Sequence, residues 1–500
     1  MKLKIKILKW SAGIPVVMLN DKTAKKIGIF TKDRIFMKTI SKKSKTISSI
    51  VDITEGSGLV GENEIAVSSE MKDALELKVG QKVEVTPAPI SKSLVYIKKK
   101  LDKKELSRIE IKTIIDGIVS NSLSEAEIAL FVSAMYRNGT SMNETISLVK
   151  AIAESGEKIV WKKGIIVDKH SIGGIPGNRT TPIVVSICAA AGLLIPKTSS
   201  RAITTAAGTS DVVETIADVE FSIPEIKKIV NKTNGCMVWG GSLGIVPADS
   251  KIIKIEKVLE IDPEAQLLAS IMAKKLSMGA KYILIDIPYG KTAKVTREHG
   301  LKLKKKFEYL GKYFKKKIKV VLTNGEQPIG NGIGPALELI DVVKILSRKK
   351  SEDYIKYPYD LEKKSVFLAG ELLEMTGKAK KGKGKDLATE IIDSGKAFEK
   401  FKEIIKAQRG NINRLRYGKF KKTILSQRSG TISEIHNKQI NSLTRATGSP
   451  LNKFSGIYLH HHVGEKVKKG EPLLTLYSDM KSKLKEAVSY YKENKPISVR

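Results

Sequence analysis

The chain opens on a strict alternation. In MKLKIKILKW, lysines alternate with Leu3, Ile5 and Ile7, which is the pattern of a strand with one apolar and one wet face. Two later runs, IGIFTKDRIFMK (27–38) and LELKVGQKVEV (75–85), resemble each other: an apolar lead-in, a polar turn, then alternating apolar residues. This internal repeat predicts a small β barrel of two similar halves over residues 1–88, with short loops such as EGSGLVGEN between strands. From about 95 to 160 the period becomes helical. Ser124 with Glu127 and Ser141 with Glu144 have capping-box spacing, and Gly139 stands where a helix should stop. Ile146, Val149 and Ile152 then follow at helical spacing.

From about 164 to 420, short apolar runs alternate with helical ones. GIIVD (164–168), YILIDIP (282–288) and IKVVLTNG (318–325) are too short and too apolar for half-exposed edges, so they predict an α/β domain with a largely parallel sheet. KILSRKKSEDYIKYPYDLEKK interrupts the pattern, and KAKKGKGKDLA (378–388) reads as a Lys/Gly loop. Residues 428–500 return to β, with the turn–strand–turn rhythm of a small barrel-sandwich in GIYLHHHVGEKVKKGEPLLTLYS. Such modules carry a lipoyl or biotinyl lysine at a hairpin tip. No such tip is evident, and a plain structural domain is expected. His460, His461 and His462 are consecutive, and neighbouring strand side chains point to opposite faces, so no metal site is expected from them.

Five hundred residues are enough for two to four domains. The two cysteines, Cys188 and Cys236, lie in apolar or Gly-rich surroundings, which suggests no disulfide framework and a cytoplasmic protein. No N-terminal apolar run has the length of a signal peptide or membrane span, so no membrane partner is expected. The net charge is +36, but the lysines are spread along the whole chain. No basic patch carries interleaved aromatics, and nucleic acid is not the expected partner. A positive field of this kind does recruit small anionic substrates.

One stretch concentrates chemistry: KHSIGGIPGNRTTP, Lys169 to Pro182. A strand-like run, GIIVDKHS, precedes it, and a buried helical run, PIVVSICAAAGLLIP, follows. Gly173, Gly174 and Gly177 let backbone approach a ligand, and a loop feeding a helix N-terminus presents free N–H groups and a positive dipole. Lys169 adds a point charge, Ser171 and Thr181 add hydroxyls, and His170 donates a hydrogen bond or delivers a proton. The spacing is neither a P-loop nor a dinucleotide fingerprint. A second stretch, KTSSRAITTAAGTSDVVETI (197–216), sets Ser199, Ser200, Arg201, Thr204, Thr205 and Thr209 ahead of a helix near Asp211. Two such loops predict two anionic groups bound near the carboxyl ends of the strands.

KHS with GG, then SSRA…T…AGT, then LLASIMAKKL (267–276), resembles the nucleoside phosphorylase family that contains thymidine and pyrimidine nucleoside phosphorylases. The resemblance spans about 95–500. It implies a helical domain (95–160, completed by about 247–280), an α/β domain (164–246 and 281–420), and an active site in the cleft between. It implies that Lys169, Ser171, Thr181, Ser199 and Thr209 bind phosphate, with His170 in the same cradle. Arg201, Ser270 and Lys274 then face the sugar or base. Two features depart from the thymidine enzymes: Ile255 stands where those have an Arg, and residues 1–88 add a β domain. Both resemble the archaeal branch, the AMP phosphorylases. That likeness implies that Gly174, Ser200, Arg201, Ala202, Ile203, Thr204, Thr205 and Thr209 contact a nucleotide. Asp262 would donate the proton, and Ser270 and Lys294 would complete the site, with Arg201 and Lys294 the candidates for the 5′-phosphate. Asp262 precedes Pro263 and a helical run, so an ordinary helix cap stands beside the catalytic reading.

The implied reactants are AMP and inorganic phosphate, with CMP and UMP as further candidates, and no metal or organic cofactor. The alternative is a phosphorylase of free nucleosides. A phosphoribosyltransferase would need acidic Mg–diphosphate ligands, and Asp211 and Asp218 lack a supporting acidic pair. The family suggests homo-oligomers, dimers that the N-terminal barrel would extend.

Overall fold

A computed structural model describes residues 1–41, 44–56, 58–88, 91–202, 205–241, 244–348 and 356–500. The chain divides into two compact units, residues 1–156 with 246–270, and residues 157–245 with 271–500.

In the first unit a closed barrel runs in the order Lys2–Ile7, Glu64–Val67, Val16–Asn20, Thr46–Thr54, Arg34–Thr39, Lys82–Pro87. Alternation puts Leu3 and Ile5 in the barrel core with Val17, Leu19, Ile35, Met37, Val83 and Val85, while Lys2 and Lys4 stay exposed. The two repeats pair with each other, Met37 opposite Val85. Each is preceded by a two-turn helix that the alternation does not show, Asp21–Ile27 or Ser69–Leu75, closed by a left-handed residue, Gly28 or Glu76. The helices Lys92–Leu101, Arg108–Val119, Glu125–Asn138, Met142–Glu154 and Pro247–Leu259 follow. Both expected capping boxes are present, and Ser107 with Glu110 forms another. Glu144 does double duty: it caps its helix and pairs with buried Lys100 at 2.8 Å.

In the second unit, Val167–Ser171, Tyr282–Tyr289 and Lys317–Asn324 form a parallel sheet with the middle segment central. Ile195–Ser199 and Gly235–Trp239 form a parallel pair, joined to it by the bridge Ile166–Leu194. The helix Thr180–Ala190 is buried along most of its length. It stops short of the expected run, because Gly192 turns the chain at φ +80° and Leu193 and Ile195 enter the sheet core. The Lys/Gly stretch is only partly a loop: a helix, Gly384–Asp393, starts inside it. A Cβ on Gly384 would lie 2.2 Å from the Gly370 carbonyl of the helix Tyr359–Met375, so this glycine serves close helix packing.

The C-terminal part is not all β. Phe420–Leu425, Pro472–Ser478 and Gly456–Leu459 form an antiparallel sheet, completed by Gly332–Ile333 from the α/β part. Gly430–Ile435 pairs with Lys466–Val467 and Ile497–Val499. Two helices, Asn437–Ala446 and Lys481–Asn494, pack on these strands. Their apolar stripes are narrow (Ile440 and Leu443; Leu484, Ala487 and Val488), which hides them in a polar sequence.

Candidate active site

The first loop leaves the strand Val167–Ser171, so Lys169, His170 and Ser171 stand at a strand end. It re-enters the fold at the N-terminus of the helix Thr180–Ala190. Lys169 is 1 % exposed, and its Nζ donates to Thr180 Oγ1 at 2.6 Å and to Thr181 Oγ1 at 3.5 Å. Burial pushes its pKa down to about 7; the Asp286 carboxylate opposes this, and the charges of Lys364, Lys197 and Arg179 add to it. Burial and four surrounding lysines hold the His170 imidazole neutral, with its pKa well below the usual value. A neutral ring suits hydrogen bonding better than proton delivery. Ser171 Oγ accepts from Asn178 Nδ2 at 3.2 Å. Gly174 has φ +92°, and a Cβ there would lie 2.9 Å from the Lys294 Cβ, so the backbone leaves room for that lysine.

The second loop runs from the strand Ile195–Ser199 to the short helix Thr209–Val213. Ser199 Oγ bonds Ser210 Oγ at 2.8 Å, and Thr205 Oγ1 donates to the Ala207 carbonyl. The Ala202 and Gly208 N–H groups donate to Asp211. Arg201 forks onto Glu214 at 2.5 and 2.7 Å, and also reaches Glu220 at 2.9 Å. Ser200 lends its carbonyl to the Ser210 N–H. Ile203 and Thr204 lie outside the described residues.

Arg179, which sequence reasoning missed, ties the two loops together. Its Nη1 donates to Thr209 Oγ1 at 2.7 Å, its Nη2 to the Ala207 carbonyl at 2.8 Å, and its Nε to Glu338 at 2.6 Å. Because Thr209 Oγ1 accepts from Arg179, its own proton is left to donate elsewhere. Behind the first loop lie two further buried clusters. Asp168 stands 2.7 Å from Lys275 and 3.4 Å from Lys197. Asp286 stands 3.1 Å from Lys364 and accepts from Thr323 at 2.6 Å. Five buried cations, Lys169, Arg179, Lys197, Lys275 and Lys364, face the buried carboxylates Asp168, Asp286 and Glu338, with buried Asp211 close enough to Glu338 to help raise its pKa. Cations outnumber carboxylates there, and a bound phosphate relieves that imbalance.

Residues 94–156 match the helical bundle domain of the glycosyl transferase family, and residues 163–398 match that family's a/b domain. Residues 431–498 match the pyrimidine nucleoside phosphorylase C-terminal domain. An AMP phosphorylase of Thermococcus kodakarensis is 44% identical over 100% of this chain and 98% of its own length. One from Methanococcoides burtonii is 42% identical (100% and 97%), and one from Methanococcus vannielii is 41% identical (99% and 97%). The chain belongs to the AMP phosphorylase family. The fold extends further: the structure of an anthranilate phosphoribosyltransferase from Thermus thermophilus, 16% identical, superposes with a TM-score of 0.52 over 63% of this chain and 99% of its own.

The remaining candidates of this family member fall in both units. Lys274 is half-buried in the second unit, on the helix Glu264–Ser277, one residue before the fully buried Lys275. Lys294 is half-buried in the turn after Tyr282–Tyr289. Ser270, on the same helix as Lys274, and Asp262, two residues before that helix begins, are half-buried in the first unit. Ile255, buried in the helix Pro247–Leu259, also belongs there. The three C-terminal histidines diverge: His460 bonds Thr475, His461 approaches Glu465, and His462 bonds Asn331. Among the described residues, no group of three His, Cys, Asp or Glu could hold a metal, and no helix is long and apolar enough to cross a membrane.

Proposed function

We propose that this protein phosphorolyses AMP. Inorganic phosphate is held by Lys169 with Ser171, Thr181, Ser199 and Thr209, and His170 donates a hydrogen bond in the same cradle. A phosphate oxygen forms the new bond to C1′ as the glycosidic bond breaks and its electron pair leaves with adenine. Asp262 gives a proton to a ring nitrogen of the leaving base. The products are adenine and ribose 1,5-bisphosphate. The anionic nucleophile also stabilises the positive charge that develops on the sugar. Gly174, the run 200–205, Thr209, Ser270, Lys274 and Lys294 bind the nucleotide. CMP and UMP are further substrates of this reading, and no cofactor enters the chemistry.

The observation that carries this is the buried cation excess around Lys169, in a chain that matches AMP phosphorylases over its whole length. Phosphorolysis of free nucleosides is the second reading, and buried Ile255 speaks against it, because an apolar side chain cannot grip a pyrimidine as a guanidinium does. The assembly we propose has four domains (1–88, 95–160 with 247–280, 164–246 with 281–420, and 428–500), works as a cytoplasmic homo-oligomer, and uses the barrel 1–88 for assembly.

Base release tests the reading directly. The protein is incubated with phosphate and, separately, AMP, adenosine or thymidine, and free base is separated by chromatography. Release from AMP alone is expected. Release from adenosine or thymidine alone would transfer the assignment to the free-nucleoside reaction. Replacing Asp262→Asn should slow turnover by roughly 10²–10⁴-fold.

A further inference from the structure

The carboxylate that opposes the burial of Lys169 comes from the neighbouring strand. In the parallel ladder Lys169 pairs with Leu284 and Ser171 with Asp286, and Thr323 lies on the next strand opposite Pro288. Alternation puts the side chains of Lys169, Ser171, Asp286 and Thr323 on one face of the sheet. Asp286 is fully buried there. Its Oδ1 accepts from Thr323 Oγ1 at 2.6 Å, and its Oδ2 stands 3.1 Å from Nζ of Lys364, a buried residue of the helix Tyr359–Met375. Burial alone would raise the Asp286 carboxyl, but the charges of Lys364 and Lys169 and the bond from Thr323 hold it below the usual carboxylate range. Asp286 is therefore an anion at neutral pH. The Lys169 ammonium is turned to the hydroxyls of Thr180 and Thr181, so Asp286 acts on it through space.

A carboxylate beside a phosphate cradle repels the ligand, so its use must lie in what it does to the cation. Four charged groups from other parts of the chain face Lys169: Asp286, Lys364, Lys197 from the strand Ile195–Ser199, and Arg179 ahead of the helix Thr180–Ala190. Asp168 and His170 flank it on its own strand. Asp286 favours the charged ammonium, whereas Lys364, Lys197 and Arg179 disfavour it. We propose that Asp286 and Lys364 are positioning residues of the phosphate cradle: neither touches phosphate, and together they set how much of Lys169 is charged when phosphate arrives. The inference rests on the AMP reading above, in which Lys169 holds inorganic phosphate.

Calorimetric titration of the full chain with inorganic phosphate at pH 6 and pH 8 tests this. Each variant's Kd is divided by the wild-type Kd at the same pH, which cancels the titration of phosphate itself. Asp286→Asn removes the anion that favours charged Lys169, so its ratio should rise about fivefold from pH 6 to pH 8. Lys364→Met removes a cation that disfavours it, so its ratio should fall about fivefold over the same interval. These are the changes expected when the Lys169 titration, about 7 in the wild type, moves by about one pH unit down or up. A direct contact between Lys364 and phosphate would instead raise the Lys364→Met ratio at both pH values, and a purely structural pair would leave both ratios flat. Either result overturns the proposal. Circular dichroism melts come first; if Asp286→Asn does not fold, the sign for Lys364→Met decides alone. A wild type that binds no phosphate, or releases no adenine from AMP, fails the functional reading itself, whereas flat ratios beside an active wild type fail this inference.

Discussion

The two loops that carry the candidate site are opposites in charge and exposure. Around Lys169, cations outnumber carboxylates and are almost completely buried. Around Arg201, three carboxylates, Asp211, Glu214 and Glu220, meet two cations, Arg201 and Lys453, and the ion pairs are about one-quarter to one-third exposed at Arg201 and Glu214. The first loop is short of negative charge and waits for it. The second has satisfied its charges internally and offers a shape. The same raw materials, glycines and hydroxyls with one long cation, therefore build one loop short of negative charge and one whose charges are paired.

The largest expected effect that tests this contrast is at Lys169. Lys169→Met should cut kcat/KM for phosphate by roughly 10²–10³-fold. Calorimetric binding of AMP should change little, and the melting temperature should hold or rise, because a buried charge is removed. Equal losses for both ligands would erase the distinction between the loops. Next is Arg179, which belongs to both. Arg179→Met strands Glu338, already pushed to a raised pKa by burial, and should cost about 3–5 kcal/mol of stability by denaturant titration. Both KM values should rise together; a change in only one would show that the loops are not coupled through Thr209 and Ala207.

A smaller effect comes from pH. Lys169 and Lys275 titrate at about 7 in the folded chain, against an ordinary lysine value of 10.5. Between those values the unfolded chain holds more protons, so their contribution makes the phosphate-free protein more stable as pH rises from about 7 toward 10.5. Below about 7 both are charged and their burial penalty is complete. Phosphate favours charged Lys169, so binding at pH 8 should take up a proton from buffer, and binding at pH 6 should involve no uptake by Lys169. Calorimetry in two buffers of different ionisation heat measures this, and AMP binding should show no such uptake from Lys169.

Both loops are legible in the chain because their chemistry is local: KHSIGGIPGNRTTP and KTSSRAITTAAGT each gather donors within a few residues. The barrel is legible for the same reason, since alternation is a local signal. Lys197, Lys275 and Lys364 are not legible, because in a chain with 89 lysines and arginines nothing beside them marks burial. Their partners Asp168 and Asp286 come from separate strands, which only the sheet register brings together. Arg179 lies inside a quoted motif, yet its role needs Glu338, far along the chain. The C-terminal helices are missed because their apolar stripes are too thin to outweigh the strand pattern around them. Asp262 stands two residues before a helix, and base-release kinetics of Asp262→Asn test its proposed chemical role.

The short strand Gly332–Ile333 belongs to the α/β part in sequence but is hydrogen-bonded to Gly456–Leu459. During synthesis the ribosome must deliver more than a hundred further residues before that edge finds its neighbour. Until then a strand edge with an apolar residue, Ile333, stays open, at the stage when a nascent chain is most prone to self-association. A pairing so distant in sequence also slows the search for the native topology. The strand Gly456–Leu459 therefore closes a sheet edge laid down long before it.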